Sequence, residues 1–352
     1  MSNLPPLFEV SVVIPCHNEE NTVKQTFDTL LKQTVLPKTI YFVDDKSTDN
    51  TLQKLLEIKK ISEKTGITVT VLQTPTNLFR AGACNLALKQ VQTDYVVMMD
   101  AGTTLQRDAL KEAVTILKHC SSVGLVCSRA GVQPGMGILH RLQKLEYGTT
   151  DLSRMVSADN IQISHGLFTA SKIDVLKKVG YYSEKVLLED YDLTVKVKEQ
   201  LGLKAVFSPT IKAYTNTVKT WRQLLKQRFR WHLGGLDVVS KFGWCKSTRQ
   251  DIVGHAFYLL FFTVIMASLL TLGSGLINIA NLTYTHILLL PITLMIINYV
   301  SSIFSLQYVE NLDRKDILLR LLLIPELTYT ILLELVRWKA YFAKVFSTKR
   351  KW

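Results

Sequence analysis

Carboxylates stand where short apolar runs end: Asp44 and Asp45 after Thr39 to Val43, and Asp100 after Tyr95 to Met99. Acids with no cationic partner close in sequence suit a divalent metal and a diphosphate, or a ribose and base edge. Taken singly, each is as well explained as a cap on the helix that follows; their repetition at separate run ends favours a ligand. Arg80 and Asn85, in Arg80-Ala81-Gly82-Ala83-Cys84-Asn85, add a cation and an amide near a helix start, where anions bind readily. Glu189, Asp190 and Asp192 precede the apolar-periodic stretch Leu193 to Leu201. Compensation of the helix dipole accounts for one or two of these. A carboxylate placed there is suited to take a proton from an attacking hydroxyl.

A last group lies in Gln227-Arg228-Phe229-Arg230-Trp231. Trp221, Leu224, Leu225, Arg228, Trp231 and His232 recur there at spacings of three and four, which predicts a helix over Thr220 to Val239. Its basic and aromatic faces suit a water–lipid boundary, or a helix laid over an ordinary core.

The elements that position these residues alternate. Val10 to Pro15, Thr39 to Val43, Val69 to Gln73 and Tyr95 to Met99 read as strands. Thr22 to Lys32, Leu52 to Lys64 and Gly82 to Gln90 read as the helices between them. This is the pattern of an α/β doubly wound sheet, whose ligands lie at the carboxyl ends of the strands. Arg129 to Leu139 reads as a loop and His140 to Met155 as a helix. His165, beside Gly166, is assigned a structural role.

Five motifs in order carry a resemblance. Val13-Ile14-Pro15-Cys16-His17-Asn18-Glu19, Val43-Asp44-Asp45, Asp100, Glu189-Asp190 and the QxxRW of Gln227 to Trp231 resemble family 2 glycosyltransferases, narrowly the membrane-embedded cellulose, chitin, hyaluronan and poly-N-acetylglucosamine synthases. The resemblance implies a GT-A fold and inverting transfer from a nucleoside-diphosphate sugar, most often a uridine one, with Mg2+ or Mn2+. It places His17, Glu19, Asp44 and Asp45 around base and ribose, and Asp100 at the diphosphate and metal. Asp190 becomes the general base with Glu189 beside it. Gln227 and Arg230 fall near the diphosphate, Trp231 and Gly166 near the acceptor; Arg80 and Asn85 join the donor set. Two positions depart from the pattern: Gly102 replaces the second Asp of Asp-x-Asp, and Leu188 replaces the Thr before Glu189. A growing polysaccharide is the first acceptor implied and a membrane lipid the second; an inactive nucleotide-sugar-binding homologue is the third reading.

Composition sets the remaining expectations. The 352 residues are 47% hydrophobic and carry a net charge of +13. No zinc-finger or helix-turn-helix pattern joins that charge to nucleic acid, and no nucleic-acid partner is expected. The five cysteines form no CxxC pair, as in a reducing compartment, and no cleavable signal opens the chain. Runs 252–280 and 287–309 lack formal charge and exceed the ~20 residues that cross a bilayer. A third, 317–336, contains Arg320, Glu326 and Glu334 and reads as re-entrant, interfacial or spanning. The expected organisation is therefore a GT-A domain at 1–215, an interfacial region with QxxRW at 216–250, and a C-terminal helical membrane region at 251–352. It makes the chain an integral membrane protein with a lipid bilayer as partner, and with catalytic domain and basic tail cytoplasmic.

Overall fold

The structure, a computed structural model, describes residues 7–273, 293 and 296–346. In chain order the elements are β1 (Leu7–Cys16), α1 (Val23–Leu31), β2 (Leu36–Asp44), α2 (Thr51–Ser62), β3 (Thr68–Gln73), α3 (Phe79–Leu88), β4 (Tyr95–Met99), β5 (Thr104–Leu105) and α4 (Ala109–His119). There follow β6 (Val123–Val132), α5 (Ile138–Val156), β7 (Phe168–Lys172), α6 (Ile173–Lys178), α7 (Glu189–Leu201), β8 (Lys204–Thr215) and α8 (Trp221–Phe242). Beyond these come α9 (Arg249–Gly273), α10 (Arg314–Leu321) and α11 (Leu323–Phe346).

The eight strands form one sheet in the order β3-β2-β1-β4-β7-β6-β8-β5. β1 pairs in parallel with β2 on one side and β4 on the other. The chain thus reverses its winding at β1, and the ends of β1, β2 and β4 open on one crevice. The predicted parallel half is present, but β7 runs antiparallel to both β4 and β6, and β5 antiparallel to β8. The sheet is therefore mixed. Near-continuous apolar runs predict strands buried on both faces; Val12, Ile14, Phe42, Val97 and Met98 are indeed fully buried. They divide between two cores, with Val12, Ile14, Phe42 and Val97 against α1, α2 and α4, and Val13, Val43 and Met98 against α3, α6 and α7.

The C-terminal third requires a correction. Among the described residues no helix is long and apolar enough to cross a membrane, which overturns the expected integral membrane protein with cytoplasmic domain and tail. Residues 274–280 of the first run and 287–292, 294 and 295 of the second lie outside the described residues. The described remainder is tied to the sheet domain through polar groups. At the start of α9, Asp251 accepts from the Tyr191 hydroxyl and His255 pairs with Tyr341 of α11. The second run ends in a turn at Ser305–Tyr308 that packs on α5, where a Cβ on Gly148 would lie 2.5 Å from Val309. The third run breaks at Leu322 into α10 and α11, and Arg320, 2% exposed, is paired with Glu326 across the break. Arg337, Lys339 and Lys344, expected in a basic tail, belong to α11; Lys344 pairs with Asp237 of α8. Leu139, Leu142, Leu145, Leu224, Val309, Leu319 and Tyr329 form the small core uniting these helices.

Candidate active site

β1 and β2 deliver their ends side by side, in register at Cys16 and Asp44. Two tight bends follow, with Asn18 (φ 58°) and Lys46 (φ 59°) left-handed. They lock together: the Asn18 amide oxygen accepts from Thr48 N at 2.8 Å, and Asn18 N donates to Ser47 Oγ at 3.0 Å. His17 Nδ1 donates to the Asp45 carbonyl at 2.7 Å, which fixes its ring at the crevice edge. The neighbouring acids then take different roles. Asp45 Oδ1 accepts from Thr74 Oγ1 (2.8 Å) and Leu78 N (2.7 Å), so this carboxylate holds the loop before α3. Asp44 is 5% exposed, and its Oδ1 has no hydrogen-bond partner among the described residues. A buried carboxylate oxygen of that kind costs stability unless a ligand pairs with it. Glu19 accepts from Thr22 Oγ1 and is pushed up mainly by burial, with Asp100 adding to the rise. Asn85 is buried: its Nδ2 donates to Tyr182 O and to Glu184 Oε1, each at 2.9 Å, and its Oδ1 accepts from Tyr182 N at 3.0 Å. It holds the 182–184 turn instead of facing the crevice.

Arg80, on the first turn of α3, gathers what the sequence scatters over more than a hundred residues. Nε donates to Asp100 Oδ1 at 2.7 Å, and Nη1 to Asp190 Oδ1 at 2.8 Å and Glu189 Oε1 at 3.1 Å. Nη2 donates to the Gly166 carbonyl at 2.9 Å, and the guanidinium lies 5.5 Å from the centre of the Tyr182 ring. Gly166 is glycine by necessity, since a Cβ there would fall 2.6 Å from Arg80 Nη2 and 2.8 Å from Asp190 Oδ2. Asp190 lies at the amino end of α7, where free backbone N–H groups favour negative charge. Even so, its carboxyl is pushed up to about 7: burial dominates, Glu189 and Asp100 add to it, and Arg80 and Arg230 oppose it. A base so placed titrates near neutrality, which suits proton abstraction.

α8 starts with a capping box in which Thr220 and Gln223 satisfy each other's backbone N–H groups. Arg230 is exposed on the side that influences Asp190. Arg228 turns inward, 4% exposed, and grips Glu146 of α5 with Nε at 2.9 Å and Nη2 at 2.6 Å. Its Nη1 donates to Gln227 Oε1, and its guanidinium lies 4.1 Å from the centre of the Trp231 ring. Glu146 also accepts from the Tyr329 hydroxyl of α11 at 2.5 Å. Gln227 and Trp231 are thus oriented by Arg228, a residue the motif pattern leaves unspecified. His165 is buried, its Nε2 donates to Ser128 O at 2.9 Å, and burial keeps the ring neutral.

The oxygen donors suit a hard divalent cation in kind. Asp100 would hold it. Gly102 offers nothing: its φ is +78°, and a Cβ would sit 3.3 Å from Thr22 Cβ. Among the described residues no three His, Cys, Asp or Glu side chains could hold a metal ion by themselves. The remaining ligands would have to come from a bound diphosphate and water.

Sequence reasoning missed Arg80 as a hub and missed Glu146, Arg228 and Tyr182. Arg228 alone left a signal, as a cation on the apolar-periodic side of its helix. Glu146 and Tyr182 acquire their roles only by contact.

Comparison with known proteins places this geometry. Residues 11–180 match the family described as Glycosyl transferase family 2. The chain is 27% identical over 273 residues to a poly-beta-1,6-N-acetyl-D-glucosamine synthase of Staphylococcus aureus, covering 76% of this chain and 63% of the relative. It is 26% identical over 291 residues to the Staphylococcus epidermidis protein of the same name, covering 82% and 65%. The match therefore spans less than two thirds of either relative's length. Among solved structures, a mannosyltransferase of Pyrobaculum calidifontis in complex with GDP-Man and Mn2+ shares the fold, with a TM-score of 0.66 at 18% identity over 99% of this chain and 89% of that one. Over residues 11–180, just under half of its length, the chain matches glycosyl transferase family 2.

Proposed function

We propose that the chain transfers a sugar, with inversion, from a uridine-diphosphate sugar to a hydroxyl of a growing polysaccharide. The observation that carries this is the convergence of Asp100, Glu189 and Asp190 on Arg80 at the strand-end crevice, with Asp190 held near neutrality. Asp44, with its unpaired oxygen, and His17 and Glu19 beside it receive base and ribose. Arg80 and Arg230 face the diphosphate and stabilise the charge that builds on it as it leaves. Asp190 removes the acceptor proton. The acceptor oxygen then bonds to the anomeric carbon as the bond from that carbon to the diphosphate oxygen breaks, and attack from the opposite face inverts the centre. Gly166 and Trp231 lie on the acceptor side. Asp100 would hold a divalent cation, which would add charge neutralisation at the diphosphate.

The names of the staphylococcal relatives make N-acetylglucosamine the first sugar to test. Purified chain incubated with labelled uridine-diphosphate N-acetylglucosamine is expected to yield a ladder of rising length. A single organic-extractable glycolipid overturns the polymer reading in favour of a lipid acceptor. Nucleotide binding without turnover of any sugar identifies a binding homologue.

A further inference from the structure

Asp100, Glu189 and Asp190 would repel one another strongly if left bare in a half-buried crevice. The chain answers them with its own cation. Arg80 spends Nε on Asp100, Nη1 on both Glu189 and Asp190, and Nη2 on the Gly166 carbonyl. The seat is fitted closely, since Gly166 leaves no room for a Cβ against the guanidinium. It is also the seat a divalent cation needs, because Asp100, the acid that would hold the metal, already gives its Oδ1 to Arg80. The second carboxylate that would help a metal compete is missing: position 102 is glycine, turned toward Thr22. Two cations cannot share one carboxylate in such a site without mutual repulsion.

We infer that Arg80 is the resident cation of the nucleotide-free site and keeps divalent metal off Asp100 until a nucleoside diphosphate arrives. The diphosphate supplies both things the site lacks. It offers Arg80 new acceptors, releasing Asp100, and it offers the metal its missing oxygen ligands. Metal and nucleotide therefore enter together. The inference rests on the donor-site reading of the crevice.

Mn2+ binding to the full chain, followed by the electron paramagnetic resonance signal of the free ion, tests it. Wild type is expected to bind Mn2+ at least about tenfold more tightly with uridine diphosphate than without. R80Q is expected to bind Mn2+ without nucleotide at least about tenfold more tightly than wild type does, and R80Q/D100N to lose that gain. Equal Mn2+ affinity of wild type with and without bound uridine diphosphate overturns the proposal. So does a folded R80Q that binds Mn2+ no better than wild type. If R80Q fails to fold, R80M read in the same nucleotide-free titration takes its place, with the same two outcomes. If equilibrium dialysis shows that uridine diphosphate does not bind, the donor-site reading fails, and R80Q against wild type without nucleotide still decides whether Arg80 excludes metal.

Discussion

As the proposed base, Asp190 would have to be unprotonated to take the acceptor's proton, and burial works against that. Its carboxyl is raised to about 7, so the working anion is depleted below neutrality and dominant above it. The rate at low substrate is therefore expected to climb with pH through a midpoint near 7 set by that group, read from kcat/KM between pH 5 and 9. Replacing Asp190 with Asn removes the base and keeps the shape; transfer is expected to fall by about 10²–10⁴, with nucleotide binding by dialysis preserved. Unchanged turnover in that variant removes Asp190 from its role. Gly166→Ala probes the same cluster through space alone. Its methyl group would displace Arg80 and Asp190 together, and a misplacement of that size is expected to cost about 10²-fold in kcat/KM, measured beside a melting curve that separates rate from folding. Of these residues, Asp190 and Gly166 were legible as motif positions. Asn85 was legible too, but an amide is equally good at holding a turn and at holding a ligand, and in the fold it bonds to Tyr182 and Glu184.

Between residue and molecule stand the elements that aim the side chains. α8 carries the QxxRW residues, and its pose depends on Arg228, clamped to Glu146 of α5, with Tyr329 of α11 on the same carboxylate. Arg228→Leu leaves Glu146 without its cation in a largely closed site; breaking such a pair is expected to cost about 3 kcal/mol by denaturant unfolding. The turn after β4 is a second such device. Gly102→Asp restores the missing family carboxylate in sequence but asks an L-residue to adopt φ +78° with its Cβ against Thr22. It is expected to lose about 1–2 kcal/mol of stability and to gain no transfer rate, as thermal melts and initial rates will show. Strand and helix periodicity made β1 to β4 and α1 to α3 legible, since each is bounded by its own local signals. The antiparallel insertion of β7 between β4 and β6 was not, because strand order is set by pairing across long separations.

For the whole molecule, the C-terminal helices are part of the machine that holds α8 in place. α11 meets α8 through Lys344 on Asp237 and α5 through Tyr329 on Glu146, and Arg320 joins α10 to Glu326 of α11 and to the α5 backbone. Ending the chain before Leu323 is therefore expected to lower the unfolding midpoint by about 5 °C or more and to abolish transfer even though every motif residue remains; a truncated chain with full activity refutes that dependence. The sequence alone determined the α/β alternation, the strand ends that carry acids and the resemblance to glycosyl transferase family 2, because these follow from short-range periodicity and from residue types at fixed spacing. It misjudged the far end: long uncharged runs look alike whether they face lipid or other helices. Only the tertiary structure decided that the described part of the C-terminal region is joined to the sheet domain through Asp251, Ser305 and Arg320. It alone decided that Asp44 is free while Asp45 is spent, and that one guanidinium, Arg80, gathers Asp100, Glu189 and Asp190. Each of those outcomes depends on which groups meet across the fold, and a linear order of residues leaves that open.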